Sequence, residues 1–193
     1  MSETYTLYHA TSIENFLSIV ESNELIPQST SMSDWANINN IDYYFNNNEY
    51  KFENHLENYI GYTFFATNQF SSQRYGIRAS DKSAFNNLYV ILTTQLPEDI
   101  LLPDTNDTID ARAWEDSAKD VGQVKVLGNV KINSDSEIII VDRSLHIVIN
   151  TTIVNWKRDL KKELAKQVKY GYYDIDECYD LWSKLDIPFA NKA

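Results

Sequence analysis

The sequence predicts an α+β fold: a β-rich body with flanking helices, followed by a C-terminal helical extension. Three observations carry this. Tyr5, Leu7 and His9 alternate with Thr6 and Tyr8 as the two faces of a strand do, and Ile13, Phe16, Leu17 and Val20 follow at once at helical spacing. Several β-prone runs then punctuate the middle of the chain. From Thr151 the spacing becomes helical again, with Ile153, Val154, Trp156, Leu160, Leu164 and Val168 set among lysines.

Taken in order, the first strand covers 5–10, with His9 at its end, and the first helix 12–22, closing near Asn23. Thr11 and Glu14 have the spacing of a reciprocal capping box, each side chain reaching the other's amide. Residues 28–60 form an insertion rich in asparagine and aromatics, read as a long loop with a short helix at 49–59; His55 has no assigned role there. Tyr62–Thr67 is β-prone, and 69–78 turns into a helix with Ser71 and Ser72 near its start. Leu88–Thr93 reads as a buried strand, Leu96–Pro103 as a corner, 104–110 as a loop and 111–119 as a short helix. Strands follow at 121–127 and 137–142. Residues 145–149 pair with the latter after an Asp-Arg-Ser turn, which sets His146 on an exposed strand face. The helix from Thr151 breaks at Gly171, and a second spans 174–185 with Trp182 and Leu185 on its apolar side. The body is therefore 1–150, and 151–193 packs on it through Trp156, Leu160 and Leu164, which share one helix face.

Composition narrows the function. A net charge of −11 argues against a broad nucleic-acid footprint, which needs a cationic surface. It suits solubility, or a basic protein partner. With 5 glycines and no G-x-G-x-x-G or P-loop pattern, the chain lacks a phosphate-cradling loop of those types. The single cysteine, Cys178, cannot form an internal disulfide, and no Cys/His spacing suggests a metal. No apolar run approaches membrane-spanning length. These features predict a chain at work in the cytoplasm, away from the membrane.

The motifs taken together resemble ADP-ribosyltransferases of the diphtheria-toxin and poly(ADP-ribose) polymerase type. Leu7-Tyr8-His9-Ala10-Thr11 before a helix is similar to the first motif, in which a histidine holds the adenine-side ribose of NAD and the next small residue lets the backbone approach nicotinamide. Ala10 stands where that family has glycine. Gly61-Tyr62-Thr63-Phe64-Phe65-Ala66, then Ser72 and Tyr75, resembles the nicotinamide clamp: a serine six residues after the alanine bonds the amide, and a tyrosine nine residues after it stacks the ring. Phe64 replaces the family's tyrosine, and Tyr62 lies two residues before it on the same strand face. Two residues compete for the third motif's carboxylate, which contacts the nicotinamide-side ribose. Glu137 opens a buried strand as in the polymerases and is preferred. Gln123 of Gly122-Gln123-Val124-Lys125 matches the phage and toxin branches but carries no charge.

The resemblance implies a split mixed or antiparallel sheet, NAD as substrate with no metal, and release of nicotinamide on mono-ADP-ribosylation of a macromolecule, a protein in preference to a nucleic acid. It covers about 5–149 and leaves 28–60 and 151–193 unexplained. If the chain is a phage or secreted effector, its site of action is the host cytoplasm. Two other readings stand beside it. One is a catalytically inactive binding or inhibitor protein on the same fold, acting through its acidic surface. The other is an unrelated small α+β protein with His9 and Tyr75 in structural roles.

Overall fold

A computed structural model describes residues 2–27, 61–104 and 113–174, together with 176, 183 and 185. The expected 28–60 insertion with His55, the loop after Asp104, Cys178 and most of the second C-terminal helix fall outside these residues.

A seven-stranded sheet forms the centre, in the order β5-β6-β3-β1-β4-β8-β9, with every neighbouring pair antiparallel. The strands are β1 (Thr4–Ser12), β3 (Tyr62–Ala66), β4 (Leu88–Pro97), β5 (Leu102–Pro103), β6 (Gln123–Leu127), β8 (Glu137–Asp142) and β9 (Ile147–Thr152). Two short strands, β2 (Glu24–Leu25) and β7 (Val130–Lys131), pair apart from it. The helices are α1 (Ile13–Ser22), α2 (Gln69–Ser80), α3 (Trp114–Asp120) and α4 (Trp156–Lys169). The α+β class is as expected.

Alternation along the strands divides the residues between two layers. On one face Leu7, Phe65, Val90, Leu92, Val124, Ile138 and Ile140 join Phe16 of α1 and Trp156, Leu160 and Leu164 of α4 in the main core. Phe16 and Trp156 meet edge to face with ring centroids 4.9 Å apart. Burying each of these α4 side chains contributes about 1.5–3 kcal/mol. The other face is covered by α2, under which Tyr8 and Ala10 pack with Tyr89, Ile91, Ile139 and Val141. A Cβ on Gly76 would collide with the Tyr89 ring, so this glycine sets how closely α2 lies on the sheet.

Four local expectations are corrected. The helix cap is Ser12, whose hydroxyl accepts from the Asn15 amide at 3.3 Å. Thr11 is instead buried in β1, and the Glu14 carboxylate accepts from Ser83 Oγ at 2.7 Å and the Ala84 amide at 3.2 Å. Because β1 runs on to Ser12, His9 lies within the strand, opposite Leu92, rather than at its end. His146 is an exposed turn residue with φ of 54°, not a strand residue, because the hairpin turn extends to it. The last helix begins at Trp156 rather than Thr151: Thr151 and Thr152 pair with Ile138 and Glu137, so β9 passes the expected 150/151 boundary. Gly171, at φ of 74°, lies just beyond the end of α4, as expected.

A buried polar cluster fastens α4 to β8. Asp142 accepts from the Leu145 amide, Ser144 Oγ and Gln167 Nε2. Glu163 is fully buried; its Oε2 accepts from Lys166 at 2.7 Å, while no N–H or hydroxyl donor faces Oε1. The Glu163 carboxyl interacts with that of Asp142, and a proton kept on Glu163 would give the pair a hydrogen bond. Burial pushes the Glu163 carboxyl up, against the Lys166 ammonium, while Asp142 adds to the rise. Burial also pushes Asp142 up, but its hydrogen bonds from Ser144, Leu145, Glu163 and Gln167 outweigh this and hold it below the ordinary carboxylate range.

Two predictions follow from this packing. An acid whose pKa is raised by folding contributes stability below its unfolded value and loses it as pH rises through the folded one. The stability that wild type holds over Glu163→Gln should therefore shrink as pH rises above about 4.5, as read from urea melts across pH; a difference that grows with pH would refute a proton kept on Glu163. Gly76→Ala should destabilise the fold by about 1–3 kcal/mol, measured in the same melts.

Candidate functional site

The sheet is weakest where the sequence motifs meet. β1 pairs β4 from Thr4↔Pro97 through Ser12↔Tyr89, and β3 pairs β6 along its whole length. Between β1 and β3 a single register pair, Tyr8↔Ala66, holds the ladder. Were that ladder to continue, Ala10 would face Phe64. Instead the Phe64 carbonyl is met by His9 Nδ1 at 3.0 Å, a side chain taking the place of a backbone donor. The sheet thus opens between Ala10 and Phe64, with the imidazole bridging the gap.

Since a carbonyl only accepts, Nδ1 carries the hydrogen and Nε2 of the neutral ring remains an acceptor. Burial pushes the imidazole pKa down, opposed by the bond to the Phe64 carbonyl. The ring also lies edge-on to Phe65, with centroids 6.0 Å apart. By register, His9 leaves the sheet on the side of Leu7 and Phe65, whereas Tyr62, Phe64 and Ala66 share the opposite side with Tyr8 and Ala10. A ligand contacting both His9 and Phe64 must therefore sit in the gap itself.

The remaining predicted residues are distributed as follows. Asn68 caps α2 by accepting from the Ser71 amide at 2.8 Å, which fixes the helix start close behind Ala66. Ser72 lies on this first turn but is fully buried, its hydroxyl donating to the Gln69 carbonyl at 2.6 Å. Tyr75 is half-buried one turn on. Thr11 is buried in β1, while Ala10 and Tyr62 are half-buried. Glu137, Thr93, Tyr8, Ala66 and Gln123 form one row across five strands. Gln123 is directly beside Ala66, about 5 Å away by strand spacing, whereas Glu137 is three strands off, roughly 14 Å. Gln123 is buried and Glu137 exposed; the Glu137 backbone is pinned on both sides by Thr93 Oγ1, at 3.0 and 3.2 Å.

Gln123 is held firmly. Its carbonyl accepts from Ser117 Oγ at 2.8 Å, and the same hydroxyl accepts from the Asp104 amide at 2.9 Å, tying the end of β5 to the start of β6. Gly122 precedes it at φ of 70°, with Ser71 Oγ so close that a Cβ would stand 2.6 Å from it, and its carbonyl accepts from Thr67. Sequence reasoning missed the residue beyond. Lys125, flanked by Val124 and Val126, is 4 % exposed, directly opposite Phe64, with Nζ 4.4 Å from the centroid of the Tyr62 ring. Burial pushes its pKa down, and the charge of buried Asp104 opposes that shift. A lysine between two valines in a β-prone run was the available signal.

Two surface depressions lie elsewhere. One is lined by Asp81, Asn86, Asn87, Arg143 and Ser144, the other by residues of α4 with Leu185. Among the described residues no cluster of His, Cys, Asp and Glu could hold a metal, and no helix is long and apolar enough to cross a membrane. No protein-family model and no curated protein matches the chain.

If Nε2 serves as acceptor for a ligand hydroxyl, binding should be constant above neutral pH and weaken on acidification, once the imidazole, whose pKa burial holds below the ordinary value, gains its second proton. Calorimetric titration with NAD from acidic to neutral pH tests this; affinity that does not fall on acidification would exclude the acceptor role.

Proposed function

We propose that the chain is an NAD-dependent mono-ADP-ribosyltransferase acting on a macromolecule, with the gap between β1 and β3 as its nicotinamide-ribose site. The observation that carries this reading is that opening, held by the single pair Tyr8↔Ala66 and bridged by His9 to the Phe64 carbonyl. It brings together, from distant parts of the sequence, the histidine and the aromatic strand on which the family resemblance rests. A ribose hydroxyl would bond His9 Nε2, and nicotinamide would lie between Phe64 and Tyr75 near the Ala10 backbone. Cleavage of the glycosidic bond then depends on fixing both riboses so that the anomeric carbon is open to the acceptor. The mixed α+β body with an antiparallel sheet is compatible with this fold family.

Gln123 is the nearer of the two third-motif candidates and would hydrogen-bond the nicotinamide-side ribose. A neutral amide stabilises the developing positive charge less than a carboxylate does, so turnover is expected to be slow. A second reading, an inactive protein that binds NAD or ADP-ribose without cleaving it, is favoured by the same neutral side chain and by the sealed hydroxyl of Ser72. In either case the acceptor or partner is a protein, given the net charge of −11.

The experiment is NAD titration by calorimetry with parallel measurement of nicotinamide release. Wild type should bind, and His9→Ala should lose about 5- to 150-fold in affinity, measured below its own melting temperature because the variant also leaves the Phe64 carbonyl without its imidazole partner. No binding by wild type refutes both readings; binding without release selects the inactive one. Gln123→Ala should reduce release more than Glu137→Gln, and the reverse order would restore the polymerase-like assignment of Glu137.

A further inference from the structure

The transferase reading leaves one requirement unmet. The pyrophosphate of NAD is negatively charged, and none of the predicted site residues is a lysine or arginine; Arg74 and Arg78 of α2 are exposed, whereas Lys125 of β6 is fixed beside Phe64 and Tyr62. We propose that Lys125 is the anion-binding residue of this site and holds the pyrophosphate of bound NAD or ADP-ribose. This rests on the transferase reading for the identity of the ligand.

The placement carries the inference. Lys125 is directly across from Phe64, on the same sheet face, so its Cβ stands about 5 Å from that of Phe64. Its Nζ lies over the Tyr62 ring, on the strand that borders the gap. Gln123, two residues earlier in β6, projects to the same side. The ammonium is therefore fixed next to the aromatic floor, one strand from the opening. Asp104, held by the Ser117 bridge, supplies the negative field that keeps a charge at this depth tolerable. A ligand phosphate would meet this ammonium in a charge-assisted contact, in competition with the Asp104 carboxylate.

The test compares ADP-ribose with nicotinamide, which lacks phosphate. Inorganic pyrophosphate should compete with ADP-ribose for wild type and should not compete with nicotinamide. Lys125→Met keeps the stem against Tyr62 and removes the charge. Asp104→Asn/Lys125→Met also avoids a buried carboxylate without its counter-charge. Both should bind ADP-ribose about tenfold or more weaker and nicotinamide unchanged, while Lys125→Arg should stay within about threefold of wild type. ADP-ribose binding that pyrophosphate does not compete for overturns the proposal even if no variant folds, as does unchanged ADP-ribose binding by the folded double variant. Wild type that binds nicotinamide but not ADP-ribose removes the role of Lys125 and leaves the nicotinamide clamp standing. Lys125-dependent binding of ADP-ribose without any nicotinamide binding does the opposite: the anion site holds and the transferase reading fails. Binding of neither ligand refutes both.

Discussion

One strand pair decides the character of this molecule. β1 is central, and a central strand ordinarily satisfies its backbone groups along both edges. Here the β4 edge is fully paired and the β3 edge is joined only at Tyr8↔Ala66. The rest of the structure accommodates that asymmetry. His9 uses its imidazole to satisfy the Phe64 carbonyl that a continuing ladder would have bonded, and β3 takes its regularity from β6 instead. The helix that follows β3 is started by Asn68 immediately after the strand, so α2 crosses to the far side of β1 and seals the Tyr89 face with Gly76 against the ring. The opening persists because both strands beside it are anchored on their other edges.

The charges inside the fold obey a related logic. Lys125 is near Asp104, whose charge favours the ammonium, and Glu163 is near Asp142, which together with burial pushes its carboxyl toward the neutral form. In each case a group that could not be buried alone is tolerated because its neighbour has the complementary state. The first pair lies at the β5–β6 end of the sheet, Lys125 being on the face of Phe64, and the second at the β8–α4 end, Asp142 being on the opposite face with Ile140.

Much of the scaffold was legible in the residues, for identifiable reasons. The apolar runs at 88–93 and 137–142 became buried strands because such runs have no other stable place. Trp156, Leu160 and Leu164 share a helix face, and that face is buried. Ends were harder to read. Thr11 and Ser12 are both competent caps, and the choice fell to Ser12 because β4 continues to pair with β1 through Tyr89, keeping Thr11 extended. Ile153 and Val154 fit a helical period, yet β8 holds the preceding residues as a strand. The site was only partly legible. Spacing placed Ser72 one turn into α2, but whether its hydroxyl faces a ligand or the Gln69 carbonyl depends on packing that spacing does not encode. The contrast between Gln123 and Glu137 depends on strand order, which no local pattern reveals.

The Phe16–Trp156 contact has a consequence for how the chain is made. Phe16 belongs to α1, and the indole that covers it belongs to α4, far along the chain. Until α4 is made, Phe16 lacks the ring that covers it, whereas β1 has both strand partners once β4 is made. Long-range pairing of this kind slows folding and prolongs exposure of sticky surface. The aromatic face of α1 is thus completed only when α4 is in place.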